Sequence, residues 1–209
     1  MAEQENSKDL ISVLWSGADI LRSKMDANEY KDYLLGIVFY KYLSDSFLIK
    51  VYDLIYDEKP ENMKVAFEAY IEALKDESAE ELKEQIKSEF HYIIEPDLTY
   101  TCFAEAAKNN SFNREQLQKG FNNIEQSDAI FADLFTDIDL YSNRLGTGDQ
   151  KQSDTISSLI KEIDKADLLN SDSDVLGNAY EYLIGQFASE TGKKAGEFYT
   201  PQAVSKILT

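Results

Sequence analysis

The chain has 209 residues, 43% hydrophobic and 12% aromatic, which suffices to bury roughly 70% of the unfolded surface and excludes a disordered acidic tail. Its 39 acids against 21 bases give a net charge of −18, and that field excludes unaided nucleic-acid binding through a broad basic face. A nearly apolar run over 33–43 is about half of the ~20 residues that a membrane span needs.

Asn6, with Asp9 three residues on, reads as a helix cap, after which Leu10, Ile11, Leu14, Ala18 and Leu21 recur on one helical face. Asp26 and Glu29 repeat that start before a longer stripe of Tyr33, Ile37, Tyr40, Phe47, Val51 and Leu54, widened by Leu34 and Val38. From 33 to 43 apolar side chains cover almost the whole circumference, which predicts a central helix buried on most sides and ~40 Å long if unbroken. Pro60 breaks it, and 61–74 reads as a further helix through Val65, Phe67, Tyr70, Ile71 and Leu74. The stretch "KDESAEELKEQIKSEF", 75–90, carries only Leu82, Ile86 and Phe90 as an apolar line. It reads as a solvated helix face, the alternative being an acidic surface that docks a protein.

"FHYIIEPDLTY" sets aromatic and β-branched residues ahead of Pro96 and predicts a short extended or looped piece packed on the bundle. Helices are expected over 103–108, 113–125 and 128–134, a loop over 141–154, and a shorter helix over 155–165. "LLNSDSD" supplies caps for a helix over 174–191, which Gly192 is placed to end in the left-handed region. There is no internal repeat and no alternation long enough to pair several strands, so the class is mainly α.

Few residues suggest chemistry. His91 is the only histidine and lacks a partner at metal-ligand spacing, so it reads as structural. Cys102 has no evident base nearby, cannot form an internal disulfide, and reads as a small packed residue. Gly146-Thr147-Gly148 follows no strand and does not continue as a phosphate-binding fingerprint. Carboxylate pairs such as Glu80 and Glu84 are expected by composition alone. The opening "MAEQENSKDL" has neither the basic flank nor the apolar stretch of a signal peptide, so a cytoplasmic location is expected.

The final stretch, "GEFYTPQAVSKILT", is more specific. Thr200 before Pro201 starts a helix, because the residue before proline leaves the α region and proline suits the first helical position. The free amides of that helix end favour an anion, and Phe198 and Tyr199 just before it can face a cation. A zwitterionic amino-acid cofactor suits such an entrance. The plainer reading, in which both aromatics enter the core and Thr-Pro is only a cap, fits the spacing equally.

Two stretches carry a family resemblance. "LWSGADILRSKMDANEYKDYLLGIVFYKYLSDSF", 14–47, resembles the N-terminal helical region of the modification (methyltransferase) subunit of type I restriction-modification systems. "LGNAYEYLIGQFASETGKKAGEFYTPQAVSKIL", 176–208, resembles the junction where that subunit enters its catalytic domain. The resemblance implies a helical bundle over 1–170, followed over 171–209 by the truncated start of an α/β, Rossmann-like methyltransferase domain. It implies a parent enzyme that moves a methyl group from S-adenosylmethionine to N6 of adenine in DNA. Glu197, Phe198, Tyr199, Thr200, Pro201 and Gln202 would then line the pocket at the methionine end of the cofactor. The family's Asn-Pro-Pro-aromatic loop is absent, since the prolines stand at 60, 96 and 201, and the fragment is expected to be inactive alone.

The implied partners are a specificity subunit, a restriction subunit, a second modification subunit and, in the assembled complex, DNA. Arg22, Lys24, Lys31, Lys41, Lys193 and Lys194 are candidate local phosphate contacts, or else ordinary solvated cations. Two rival classes stand beside this reading: a self-contained, non-enzymatic acidic helical module that recruits proteins, and a small-molecule sensor that uses 196–202 alone.

Overall fold

The computed structural model describes residues 2–166 and the isolated helical positions 177, 181 and 185. Those three fall within the helix expected over 174–191, the rest of which lies outside the described residues. The described residues form seven α-helices and no strand: α1 Ala2–Arg22, α2 Ala27–Tyr56, α3 Met63–Ala73, α4 Ala79–Phe90, α5 Tyr100–Lys108, α6 Arg114–Glu125 and α7 Asp149–Ile163. None is long and apolar enough to cross a membrane.

The axis of the bundle is α2, whose 30 residues span about 45 Å. Leu34, Ile37, Tyr40, Phe47, Leu48 and Val51 are fully buried, because α1, α3, α5 and α7 all pack against this one helix. Two aromatic clusters sit along it. Tyr40 meets Phe103, Phe121 and Phe135 at ring separations of 5.9, 5.4 and 5.9 Å. Phe47 meets Tyr70, Phe90 and Tyr92 at 5.3, 6.3 and 6.1 Å.

A buried tyrosine needs a partner for its hydroxyl, and here the partners are main-chain carbonyls. Tyr40 donates to Leu98 O at 2.7 Å and Tyr70 to Ile94 O at 3.0 Å, so both pin the irregular segment between α4 and α5. Tyr92, from that segment, donates in turn to Leu43 O of α2 at 3.0 Å. The sequence expectation of a packed, looped piece there holds: it is coil with a single 3-10 turn, Pro96–Leu98.

Several boundaries differ from the expected ones; α5, for one, starts at Tyr100 rather than 103. The first helix already runs from Ala2, which places Asn6 inside it rather than at its cap. The acidic stretch begins with a turn in which Asp76 Oδ1 accepts from Ser78 N at 2.9 Å, and α4 starts only at Ala79. It buries Ile86 alone, so its outer face is solvated as expected.

Residues 128–134 form only the 3-10 turn Ala129–Phe131 rather than a helix. Asp128 Oδ1 takes the Ile130 amide at 3.0 Å and Glu125 Oε1 takes the Phe135 amide at 2.8 Å, so side chains capture donors that a helical ladder would use. Conversely, α7 starts six residues before the expected 155. Gln152 falls in the expected loop but is buried and donates to the Tyr141 carbonyl, and Thr155, the expected first helical residue, is buried as well and donates to Leu145 O.

Candidate functional site

Glu197, Phe198, Tyr199, Thr200, Pro201 and Gln202 lie outside the described residues, as do Lys193 and Lys194. The described residues build a polar cleft at the end of α7, where the chain reaches residue 166. Its volume is about 550 Å³, and its walls come from α2, α5, the start of α3 and the end of α7.

The floor of the cleft is charged. Lys41 and Asp45, four apart on α2, share a face and are only 4% and 2% exposed. Lys41 Nζ lies 2.6 Å from Asp45 Oδ2 and 5.0 Å from the centroid of the Tyr100 ring. Burying either charge alone costs several kcal/mol, and the close pairing with an aromatic face above it offsets that cost.

Tyr100 joins three helices at this point. Its amide donates to Ser44 Oγ of α2 at 2.8 Å and its hydroxyl donates to Ile160 O of α7 at 3.0 Å. Burial, then the Asp164 and Asp45 carboxylates, push that phenol well above its usual range, so it stays a donor at any physiological pH. Thr99 starts α5 beneath it by accepting the Cys102 amide at 3.3 Å and donating to Pro96 O at 2.8 Å. At the rim Lys108 pairs with Asp164 at 2.7 Å. The arrangement neutralises charge locally and ties α2, α5 and α7 together.

The sequence suggests Lys41 as a phosphate contact, and its burial removes it from that set. The signal that points inward instead is a lysine and an aspartate four apart inside an otherwise apolar helix. The other described cations near the α1–α2 corner are engaged but reachable. Arg22 stacks on Trp15 and pairs with Asp19, Lys31 pairs with Asp32, and Lys24 donates to Leu145 O at 3.3 Å. Arg144, which the sequence does not single out, joins that corner through Glu29.

The remaining candidates are structural. His91 ends α4 in the left-handed region, φ 65°, with Nδ1 3.2 Å from Asp128 Oδ2. The Cys102 thiol is half-buried and pushed up by burial and then by Asp97 and Glu105, which disfavours the reactive thiolate. Gly148, at φ 89°, turns the chain into α7. Among the described residues no group of three or more His, Cys, Asp or Glu could hold a metal ion.

Known proteins share this frame. A family model described as HsdM N-terminal domain matches residues 10–163, and one described as N-6 DNA Methylase matches 171–209. The chain therefore belongs to the HsdM N-terminal domain family, the helical part of type I methylase subunits. It is 28% identical over 99% of its length to the type I restriction enzyme MpnII methylase subunit of Mycoplasma pneumoniae, covering 39% of that protein. It is 31% identical over 97% of its length to the MjaVIII methylase subunit of Methanocaldococcus jannaschii, covering 31% of it. The crystal structure of a type I restriction-modification methyltransferase subunit from Streptococcus thermophilus superposes with a TM-score of 0.87 at 48% identity. That match covers 96% of this chain and 43% of the other. The chain thus spans about two fifths or less of the relatives it matches.

Proposed function

We propose that this chain is the N-terminal part of a type I restriction-modification methyltransferase that moves a methyl group to N6 of adenine in DNA. The observation that carries the reading is the order of the two family matches: the helical-domain match over 10–163 is followed directly by the methylase match over 171–209. Residues 1–170 are the helical domain and 171–209 begin the α/β methyltransferase domain. Glu197, Phe198, Tyr199, Thr200, Pro201 and Gln202 line the methionine end of S-adenosylmethionine, which when bound supplies the methyl group. Aromatic faces suit its sulfonium charge, and the helix start at Pro201 suits its carboxylate.

The polar cleft at Lys41, Asp45 and Tyr100 ties α2, α5 and α7 together at the end of the described bundle. The cations Arg22, Lys24, Lys31 and Arg144 offer local phosphate contacts in a complex whose sequence reading belongs to a specificity subunit. A restriction subunit and a second modification subunit complete that assembly. Without an Asn-Pro-Pro-aromatic loop to grip a flipped adenine, these 209 residues do not methylate by themselves.

The test is calorimetric titration of S-adenosylmethionine into the assembled complex carrying Phe198→Ala or Thr200→Ala. Cofactor affinity falls tenfold or more while the helical domain keeps its thermal stability. An unchanged affinity would refute the pocket.

A further inference from the structure

The geometry points to a second binding surface, independent of the methyltransferase reading: a groove at the far end of α2 that docks a basic amphipathic helix of a partner protein. The groove, about 540 Å³, runs between the last turns of α2 and α3 and the first turns of α4. Leu54, Tyr56, Ala73 and Leu82 give it an apolar lining. Tyr56 is 52% exposed, with its ring 4.6 Å from that of Tyr52. A large aromatic left open beside an apolar groove is the kind of side chain that anchors protein contacts.

The charge around this lining selects the occupant. Glu72, Asp76 and Glu81 stand at the groove, and the single cation among the described residues lining it, Lys75, is held by Glu72 at 2.7 Å. Both α2 and α3 end here, and neither has a basic residue in its last turn. Helix C-termini carry partial negative charge that an isolated protein normally balances with Lys or Arg. The cap of α2 is instead Asp57, at φ 55°. With the Lys75–Glu72 pair set aside, Asp76, Glu81 at the start of α4 and two helix ends without a basic last turn still face one apolar groove, and a cationic partner complements them.

Nucleic acid is repelled by this surface, and a second copy of a chain with net charge −18 is repelled as well. A helix with apolar anchors at i, i+4 and i+7, flanked by Lys or Arg, meets both requirements at once.

The probe is a fluorescein-labelled 16-residue peptide with leucines at those spacings and lysine or arginine elsewhere, read by anisotropy against the full chain. It binds with a micromolar dissociation constant that weakens several-fold between 50 and 300 mM salt. A scrambled peptide of the same composition binds at least tenfold more weakly. Tyr56→Ser and the double change Glu72→Gln, Glu81→Gln each weaken binding tenfold or more while the helical circular dichroism and melting temperature stay as in the parent chain. The double change Glu115→Gln, Asp154→Asn, which removes two exposed carboxylates elsewhere, leaves binding within twofold. Equal binding of the scrambled peptide, equal loss with the remote changes, or indifference to Tyr56→Ser would each reduce the effect to diffuse charge attraction and overturn the proposal. Concentration-dependent self-association abolished by Tyr56→Ser would overturn it in favour of a second copy.

Discussion

Gly120→Ala sets helix propensity against packing where the Tyr40 side chain of α2 meets α6. In an exposed helix the change stabilises by about 1 kcal/mol. Here a Cβ at 120 would sit 2.3 Å from Tyr40 Oη and 2.8 Å from its Cζ, far inside contact distance. Tyr40 has no easy retreat: it is fully buried, ringed by Phe103, Phe121 and Phe135, and tied to Leu98 O at 2.7 Å. Overpacking costs about 1–3 kcal/mol, and pulling the hydroxyl off a buried carbonyl costs about 1–3 kcal/mol more. Net destabilisation of about 1–5 kcal/mol follows once the propensity gain is subtracted, read as a lower urea midpoint at constant slope. Tyr40→Phe removes the clashing oxygen, so the double variant is more stable than the sum of the single losses by about 1 kcal/mol or more. A stabilised Gly120→Ala chain, or strictly additive losses, would refute the packing argument.

Lys41→Met strips the partner from a buried carboxylate; the expected loss is about 3–5 kcal/mol, measured by chemical denaturation, and a loss under 1 kcal/mol contradicts the buried pairing. Alkaline pH tests the buried phenols. Burial pushes the hydroxyls of Tyr40, Tyr70, Tyr92 and Tyr100 above the ordinary value of 10.0, so their contribution is fully present below pH 10 and fades as pH climbs towards their folded values. Each such tyrosine held protonated in the fold lowers stability by about 1.4 kcal/mol per pH unit above 10. Denaturant midpoints across pH 9 to 11, with phenolate absorbance followed in parallel, check it; phenolate formation without unfolding would contradict it.

Much of this architecture is legible in the order of the residues. The central helix follows from an apolar circumference over 33–43, whereas the caps Asn62 and Thr99, which each hold an early helical amide, emerge only in the structure. The site residues rest on family resemblance, since the spacing of "EFYTP" fits a core-packed cap as well as a cofactor wall. Local patterns mislead where side chains compete with the main chain. Glu125 reaches ten residues along the chain to hold the Phe135 amide, and no local pattern encodes that reach. Polar Gln152 and Thr155 enter the interior because carbonyls of a distant turn await them there.

Periodicity and composition, acting over three to four residues, were enough by themselves to determine a helical, acidic protein organised around one apolar helix. Only the tertiary structure decided that Lys41 faces Asp45 and the Tyr100 ring in the interior instead of solvent, and that α2 and α3 end beside one another at an acidic groove. Those outcomes depend on which helices meet, and burial, which sets the energy of every charge and hydroxyl involved, is a property of that meeting.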